Sequence, residues 1–147
     1  MRTYGVAFLG FGNVGKALAR LIEARTGELA VRFGAACRST GVASRSLGWW
    51  ANPGGLTLTA PHATGTKCYD FADWLLTARP DVVFETIALD PHTGQPALDY
   101  LADTLRAGIH AVSANKGPVV YGYQRLSALA DSHGRLYRFE SAVMDGA

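Results

Sequence analysis

Short apolar runs and segments of helical period alternate along this chain. Tyr4 to Leu9 is an apolar run ending in glycines, the pattern of a central parallel strand. Val14, Ala17, Leu18, Leu21 and Ile22 then fall at helical spacing, and Gly27 supplies a stop. Leu29 to Cys37 reads as a second strand. From Thr40 to Lys67 the periodicity dissolves into Gly, Ser, Thr and Pro around Trp49 and Trp50. Mostly loop is expected there, with a short helix around Arg45 to Trp50 and a strand at Leu56 to Thr59.

Regular alternation resumes at Asp70, a candidate cap for a helix carrying Phe71, Trp74 and Leu75 that Pro80 terminates. Asp81 to Ile87 is the next strand. Pro96 suits the first turn of a helix with Leu98, Leu101, Ala102 and Leu105 on its apolar side, ended by Gly108. His110 to Ser113 is again a strand, followed by a helix with Leu126, Leu129 and Ala130 that closes at Gly134. Leu136 to Glu140 is the last strand. The crossovers are long enough for parallel pairing. The expected fold is α/β: a Rossmann-type, doubly wound parallel sheet in three layers.

Composition narrows the class. The 147 residues suit one domain, with 48% hydrophobic and 18% charged residues, a globular balance. No apolar run approaches the roughly 20 residues needed to span a bilayer. The N-terminus lacks the apolar stretch and cleavage site of a signal peptide. A cytoplasmic protein without membrane contact is expected. The net charge is +2 and the arginines are scattered, so no nucleic-acid stripe emerges. Cys37 and Cys68 lack metal-ligand spacing and are expected as buried free thiols.

Gly10, Gly12 and Gly15 form G-x-G-x-x-G directly between the first strand and first helix. In that context the motif binds dinucleotides. Gly10 permits the turn, Gly12 lets a pyrophosphate approach, and Gly15 brings the helix close to the sheet. The amides around Asn13 and Val14 complete an anion site at the helix N-terminus, beside Phe11. No acidic residue lies between Glu28 and Asp70, so the usual ribose-binding carboxylate is missing. Arg38 and Ser39, at the expected end of strand two, suit the 2′-phosphate of NADP better than the bare ribose of NAD, which stays open as the alternative. Thr86 and Ile87, and Ser113, Asn115 and Lys116, fall where ligands sit in such sheets. Lys116 is a candidate to contact the cofactor or shuttle a proton during hydride transfer. His92 reads as solvated, Trp49 and Trp50 as packing or interface residues, and Glu85 as a paired structural carboxylate.

Four blocks together resemble one family. The glycine loop Gly10 to Gly15, the segment Gly94 to Leu98, the block Ser113 to Pro118 and the closing Phe139 to Gly146 are similar, in order and spacing, to the nucleotide-binding domain of homoserine dehydrogenase. The resemblance is weakest from Gly41 to Lys67. It implies interconversion of homoserine and aspartate 4-semialdehyde with NAD(P)(H), in the aspartate-derived amino-acid pathway. It places Gly10 to Gly15 on the cofactor phosphates, and Thr86, Ile87 and Ser113 beside the nicotinamide. Lys116 takes the position of the family lysine next to the cofactor. The resemblance also implies a monovalent cation held by Glu140, Val143, Asp145 and Ala147.

Residues 1–140 are thus expected to be the NAD(P)-binding domain, and 141–147 the start of a hinge into a substrate and dimerisation domain that this chain lacks. The expected partner is a small-molecule substrate in the full enzyme, with a homodimer left open. The chain alone is expected to lack turnover. Two other readings stay open: the Rossmann domain of a different semialdehyde or amino-acid dehydrogenase, and a non-catalytic NADP-sensing or partner-docking module using the Trp49–Trp50 loop.

Overall fold

The computed structural model describes residues 1–139. Strand β1 (Arg2–Leu9) leads into helices α1 (Asn13–Ala24) and α2 (Thr26–Phe33), then strands β2 (Ala35–Ser44) and β3 (Gly48–Ala51). Helix α3 (Pro61–Thr64), strand β4 (Thr66–Cys68) and helix α4 (Phe71–Ala78) follow. Strand β5 (Val82–Glu85), helix α5 (Ala97–Arg106), strand β6 (His110–Ser113), helix α6 (Lys116–His133) and strand β7 (Tyr137–Arg138) complete the described chain.

The strands form one seven-stranded sheet in the order β4-β3-β2-β1-β5-β6-β7. From β2 through β7 the neighbours are parallel, as expected. Strand β3 alone runs against the rest, antiparallel to both β2 and β4, which corrects the all-parallel expectation at that edge. Val6, Phe8 and Val42 pack under Leu18, Ala19 and Ile22 of α1 on one face. On the other, Ala7, Leu9 and Ala43 meet Phe71 and Trp74 of α4, while α5 and α6 close over Ala111 and Tyr137. Helix, sheet and helix make three layers.

Two segments differ from the sequence reading. Leu29 to Phe33 is helical, not strand, and Gly27 lies inside α2; the stop is Gly34, in the left-handed region at φ 59°. A short apolar run fits either period. Glu28 settles it locally, accepting from Arg25 at 3.0 Å and Arg32 at 2.9 Å across one helical turn. The second difference is the strand pair β2–β3, which occupies much of the expected loop and replaces the short helix around Arg45 to Trp50. The Ser44 hydroxyl accepts from the Leu47 N–H at 3.1 Å inside this hairpin. Leu56 to Thr59 is not a strand.

The tryptophans stabilise this hairpin. Trp74, fully buried, donates its indole N–H to the Trp50 carbonyl at 3.0 Å, and its ring lies against Gly41, where a Cβ would come within 3.0 Å. Trp49 meets Phe71, Trp74 and Tyr100 edge-on at 5.7–6.1 Å between centroids. Trp49 and Trp50 therefore belong to a strand packed on the core, not to a protruding loop. Cys68 is buried as expected, but Cys37 is exposed. It borders an open groove beside α1.

Sequence punctuation is borne out elsewhere. Asp70 caps α4 by accepting from the Asp73 N–H at 2.9 Å, and Gly134 ends α6 at φ 62°. Helix α6 kinks at Gly122, which leaves helical geometry at φ −145° and packs against α5, where a Cβ would collide with the Leu98 side chain. Gly122→Ala is therefore expected to lower stability by about 1–3 kcal/mol. Urea unfolding measures this, and an unchanged or raised midpoint would show that Leu98 repacks freely.

Candidate functional site

The site is built where β1, β2 and β5 end side by side. Strand β1 stops at Leu9 and the chain turns through Gly10, which sits at φ 100°. Its N–H donates to the Ala43 carbonyl at 2.8 Å, joining the turn to β2. On the other side, the Thr86 N–H donates to the Leu9 carbonyl at 2.8 Å and the Thr86 hydroxyl to the Gly10 carbonyl at 3.3 Å. A Cβ on Gly10 would lie 2.8 Å from Thr86 backbone and hydroxyl atoms, and one on Gly15 would lie 2.6 Å from the Gly10 carbonyl oxygen. Two of the three motif glycines are thus demanded by the protein's own packing.

Gly12 is different, because a Cβ there would meet nothing within 4 Å. It is the N-cap of the 12-residue α1, with no side-chain cap and no acidic residue in the first turn. The first-turn amides have no carbonyl partner within the helix and carry the positive end of its dipole. They open on a cleft of about 520 Å³ bounded by Gly10, Gly12, Arg45, Trp49, Ile87 and Tyr100. Its size lies within the range of small-molecule sites. Phe11 edges Phe8 at 5.8 Å between centroids, and Asn13 and Val14 are exposed at the helix start.

The geometry brings the glycine loop, Thr86 and Ile87 into one cleft, and sets Ser113, Asn115 and Lys116 one strand further along. It does not bring Arg38 and Ser39 there. Strand β2 runs on to Ser44, so both fall midway along it rather than at its end. The Arg38 guanidinium lies 3.5 Å from the Pro53 carbonyl, and Ser39 borders the groove beside α1, a cavity of about 720 Å³. The residues at the carboxyl end of β2 are Ser44 and Arg45, and both line the cleft. The misplaced strand end hid them from sequence reasoning, although the search for hydroxyls beside an arginine describes them equally well.

Glu85, expected as a paired structural carboxylate, is tied to three partners. It is fully buried at the end of β5. Its carboxyl accepts from the Ser113 hydroxyl at 2.7 Å, the Ile87 N–H at 2.8 Å, and the Asn115 side-chain amide. The same Asn115 amide donates to the Ile87 carbonyl at 2.8 Å, and the Asn115 N–H donates to the Ser113 hydroxyl at 3.1 Å. Burial pushes the Glu85 carboxyl above the ordinary range, against the pull of its three hydrogen bonds. Asn115 is the N-cap of α6, and Lys116 is that helix's exposed first residue. The network therefore sets the origin of the helix that carries the lysine.

His92 is exposed, as expected. The cation ligands expected at Glu140, Val143, Asp145 and Ala147 lie outside the described residues, as does the expected hinge. Among the described residues no cluster of His, Cys, Asp and Glu could hold a metal, and no helix is long and apolar enough to cross a membrane.

Known proteins share this sequence pattern and this fold. The family model described as the NAD-binding domain of homoserine dehydrogenase matches residues 10–140. An NAD(+)-dependent homoserine dehydrogenase of Pseudomonas canavaninivorans is 30% identical over 158 residues, covering 99% of this chain and 45% of that protein. The homoserine dehydrogenase of Sulfurisphaera tokodaii is 25% identical, over 93% of this chain and 41% of its own length. The chain therefore spans less than half the length of these curated relatives. Among solved structures, a hyperthermophilic archaeal homoserine dehydrogenase in complex with NADPH superposes with a TM-score of 0.76 at 22% identity, over 95% of this chain and 44% of that one. The S. aureus enzyme gives a TM-score of 0.75 at 20% identity, over 97% and 33%. At those identities the structures establish the shared fold.

The Glu85 network predicts a graded response at Asn115. Asn115→Ala is expected to lower stability by about 1–3 kcal/mol, because Glu85 loses a buried donor. Asn115→Asp is expected to lose more at neutral pH, because it sets a second carboxylate beside the first. Such a pair takes up protons more readily folded than unfolded, so the Asp variant regains stability as pH falls toward about 4. Urea unfolding across pH checks both, and equal losses with no pH difference would contradict the network.

Proposed function

The chain belongs to the homoserine dehydrogenase family through its NAD-binding domain, and from that premise we propose that the cleft at the carboxyl ends of β1, β2 and β5 holds NADP, with NAD as the alternative. The observation that supports this most directly is Gly12. Protein packing does not require a glycine there, whereas a pyrophosphate resting on the first-turn amides of α1 does.

The relatives differ in their printed cofactors, NAD(+) for the Pseudomonas protein and NADPH for the archaeal structure, so the choice is argued from this chain's own residues. At the end of β2, where NAD binders place a carboxylate, this chain carries Ser44, Arg45 and Ser46. A guanidinium flanked by hydroxyls matches a 2′-phosphate. Arg45, not Arg38, takes that role in this reading, and Trp49 and Tyr100 flank the adenosine half. The nicotinamide half extends toward Ile87 and the end of β6.

For the complete protein we propose the family reaction, interconversion of homoserine and aspartate 4-semialdehyde. The bound nicotinamide supplies the hydride chemistry. Lys116 holds or moves the proton at the substrate oxygen, and the Glu85–Asn115 network orients its helix. Orienting the substrate requires a second wall. The part of the relatives that this chain does not span is the proposed source, joined through residues 141–147. Turnover of homoserine by the 147-residue chain alone is therefore expected to be negligible.

Saturating NADPH is expected to raise the melting temperature, by an amount equivalent to about 2.7 kcal/mol at a hundred-fold excess over Kd. Arg45→Ala is expected to weaken NADPH binding roughly ten-fold or more while changing NADH binding little, since a charge-assisted bond contributes about 1.5–3 kcal/mol. Arg38→Ala is expected to change neither. Isothermal titration against both cofactors reads these outcomes. Equal losses for NADPH and NADH in Arg45→Ala would remove the 2′-phosphate reading, and no binding of either cofactor by the wild type would remove the function.

A further inference from the structure

We propose that Glu85 holds a buried negative charge beneath the nicotinamide end of the cleft, favouring the oxidised, cationic cofactor over the reduced, neutral one. The proposal rests on the dinucleotide reading of the cleft and goes beyond it by giving a structural glutamate an electrostatic task.

The hydrogen-bond pattern supports the charge. The Asn115 side-chain amide lies between the Ile87 carbonyl oxygen and Glu85. A carbonyl oxygen only accepts, so the group facing both must be the NH₂ end, donating to each. The Ile87 N–H is a donor by nature. The Ser113 hydroxyl accepts from the Asn115 N–H and lies 2.7 Å from Glu85, placed to donate to it. Two partners can only donate and the third is able to, an arrangement that suits an anion, which only accepts, better than a protonated carboxyl. Burial disfavours ionisation; these convergent donors are the counterweight.

The position directs the charge. Glu85 is the last residue of β5 and holds the N–H of Ile87, which itself lines the cleft. In a doubly wound sheet the adenosine half lies over the first strands and the nicotinamide half over the strands beyond the switch point, here β5 and β6. The oxidised nicotinamide ring carries a positive charge that the reduced ring lacks. A fixed anion under that ring therefore separates the two forms. Lys116 is present in both wild type and a Glu85 variant, so its ammonium cancels in the comparison.

The test compares Glu85→Gln with wild type in titrations against NADP⁺ and NADPH, or the NAD⁺ and NADH pair if those bind instead. The ratio of Kd for the reduced form to Kd for the oxidised form is expected to fall roughly ten-fold in Glu85→Gln, the scale of one unit charge acting through protein of effective dielectric about 20. Ser113→Ala removes one of the donors that favour the charge, so its ratio is expected to move in the same direction by no more than in Glu85→Gln. An unchanged ratio in Glu85→Gln, or a rise in the ratio in Ser113→Ala, overturns the proposal. Absence of binding by the wild type instead removes the dinucleotide reading. The wild-type chain supplies a further check should Glu85→Gln fail to fold: the Glu85 carboxyl ¹³C shift is expected in the carboxylate range at neutral pH, and a protonated carboxyl there equally overturns it.

Discussion

The mouth of the cleft depends on one reversal of direction. Strand β1 is flanked on both sides by parallel neighbours, and all of them end at the same level of the sheet. The chain must leave that level at once and start a helix whose axis points back over the sheet. Gly10 makes the turn in a backbone region that L side chains avoid, while hydrogen bonds from it to β2 and to it from Thr86 fix the surrounding strand ends. Because the turn is so tight, Gly15 passes over Gly10 with no room for a side chain. The uncapped end of α1 is thereby held over the sheet edge.

The sequence showed this part plainly because several independent signals coincide there. An apolar run, glycines at fixed offsets and a helical stripe each specify the same strand, turn and helix. The same agreement explains why His110 to Ser113, the Asp70 cap and the Gly134 stop are found where the pattern places them. The homoserine dehydrogenase resemblance, carried by the glycine loop and the Ser113 to Pro118 block, agrees with the family match over residues 10–140.

Most of what was illegible has one cause, non-local contacts; the exception is the segment from Leu29 to Phe33, short enough for either period, whose ion pairs lie within one helical turn. The hairpin β2–β3 is rich in glycine and serine, which reads as loop. What makes it strand is Trp74, far along the chain, lying flat on Gly41 and accepted by the Trp50 carbonyl. Missing that strand displaced the expected end of β2, and with it the arginine facing the cleft. Glu85 was legible as a paired structural carboxylate, but its partners were not, because Ser113 and Asn115 lie a strand and a helix further along the chain.

The substitution of a hairpin for a helical crossover also bears on how the molecule keeps to itself. Strand β4, at the end of the sheet, is only three residues long and carries Lys67 at its centre. An outer strand that short presents few open amides and carbonyls to a second chain, and a lysine there opposes stacking of like edges. The antiparallel pair thus ends that side of the sheet in a form that resists growth by strand addition.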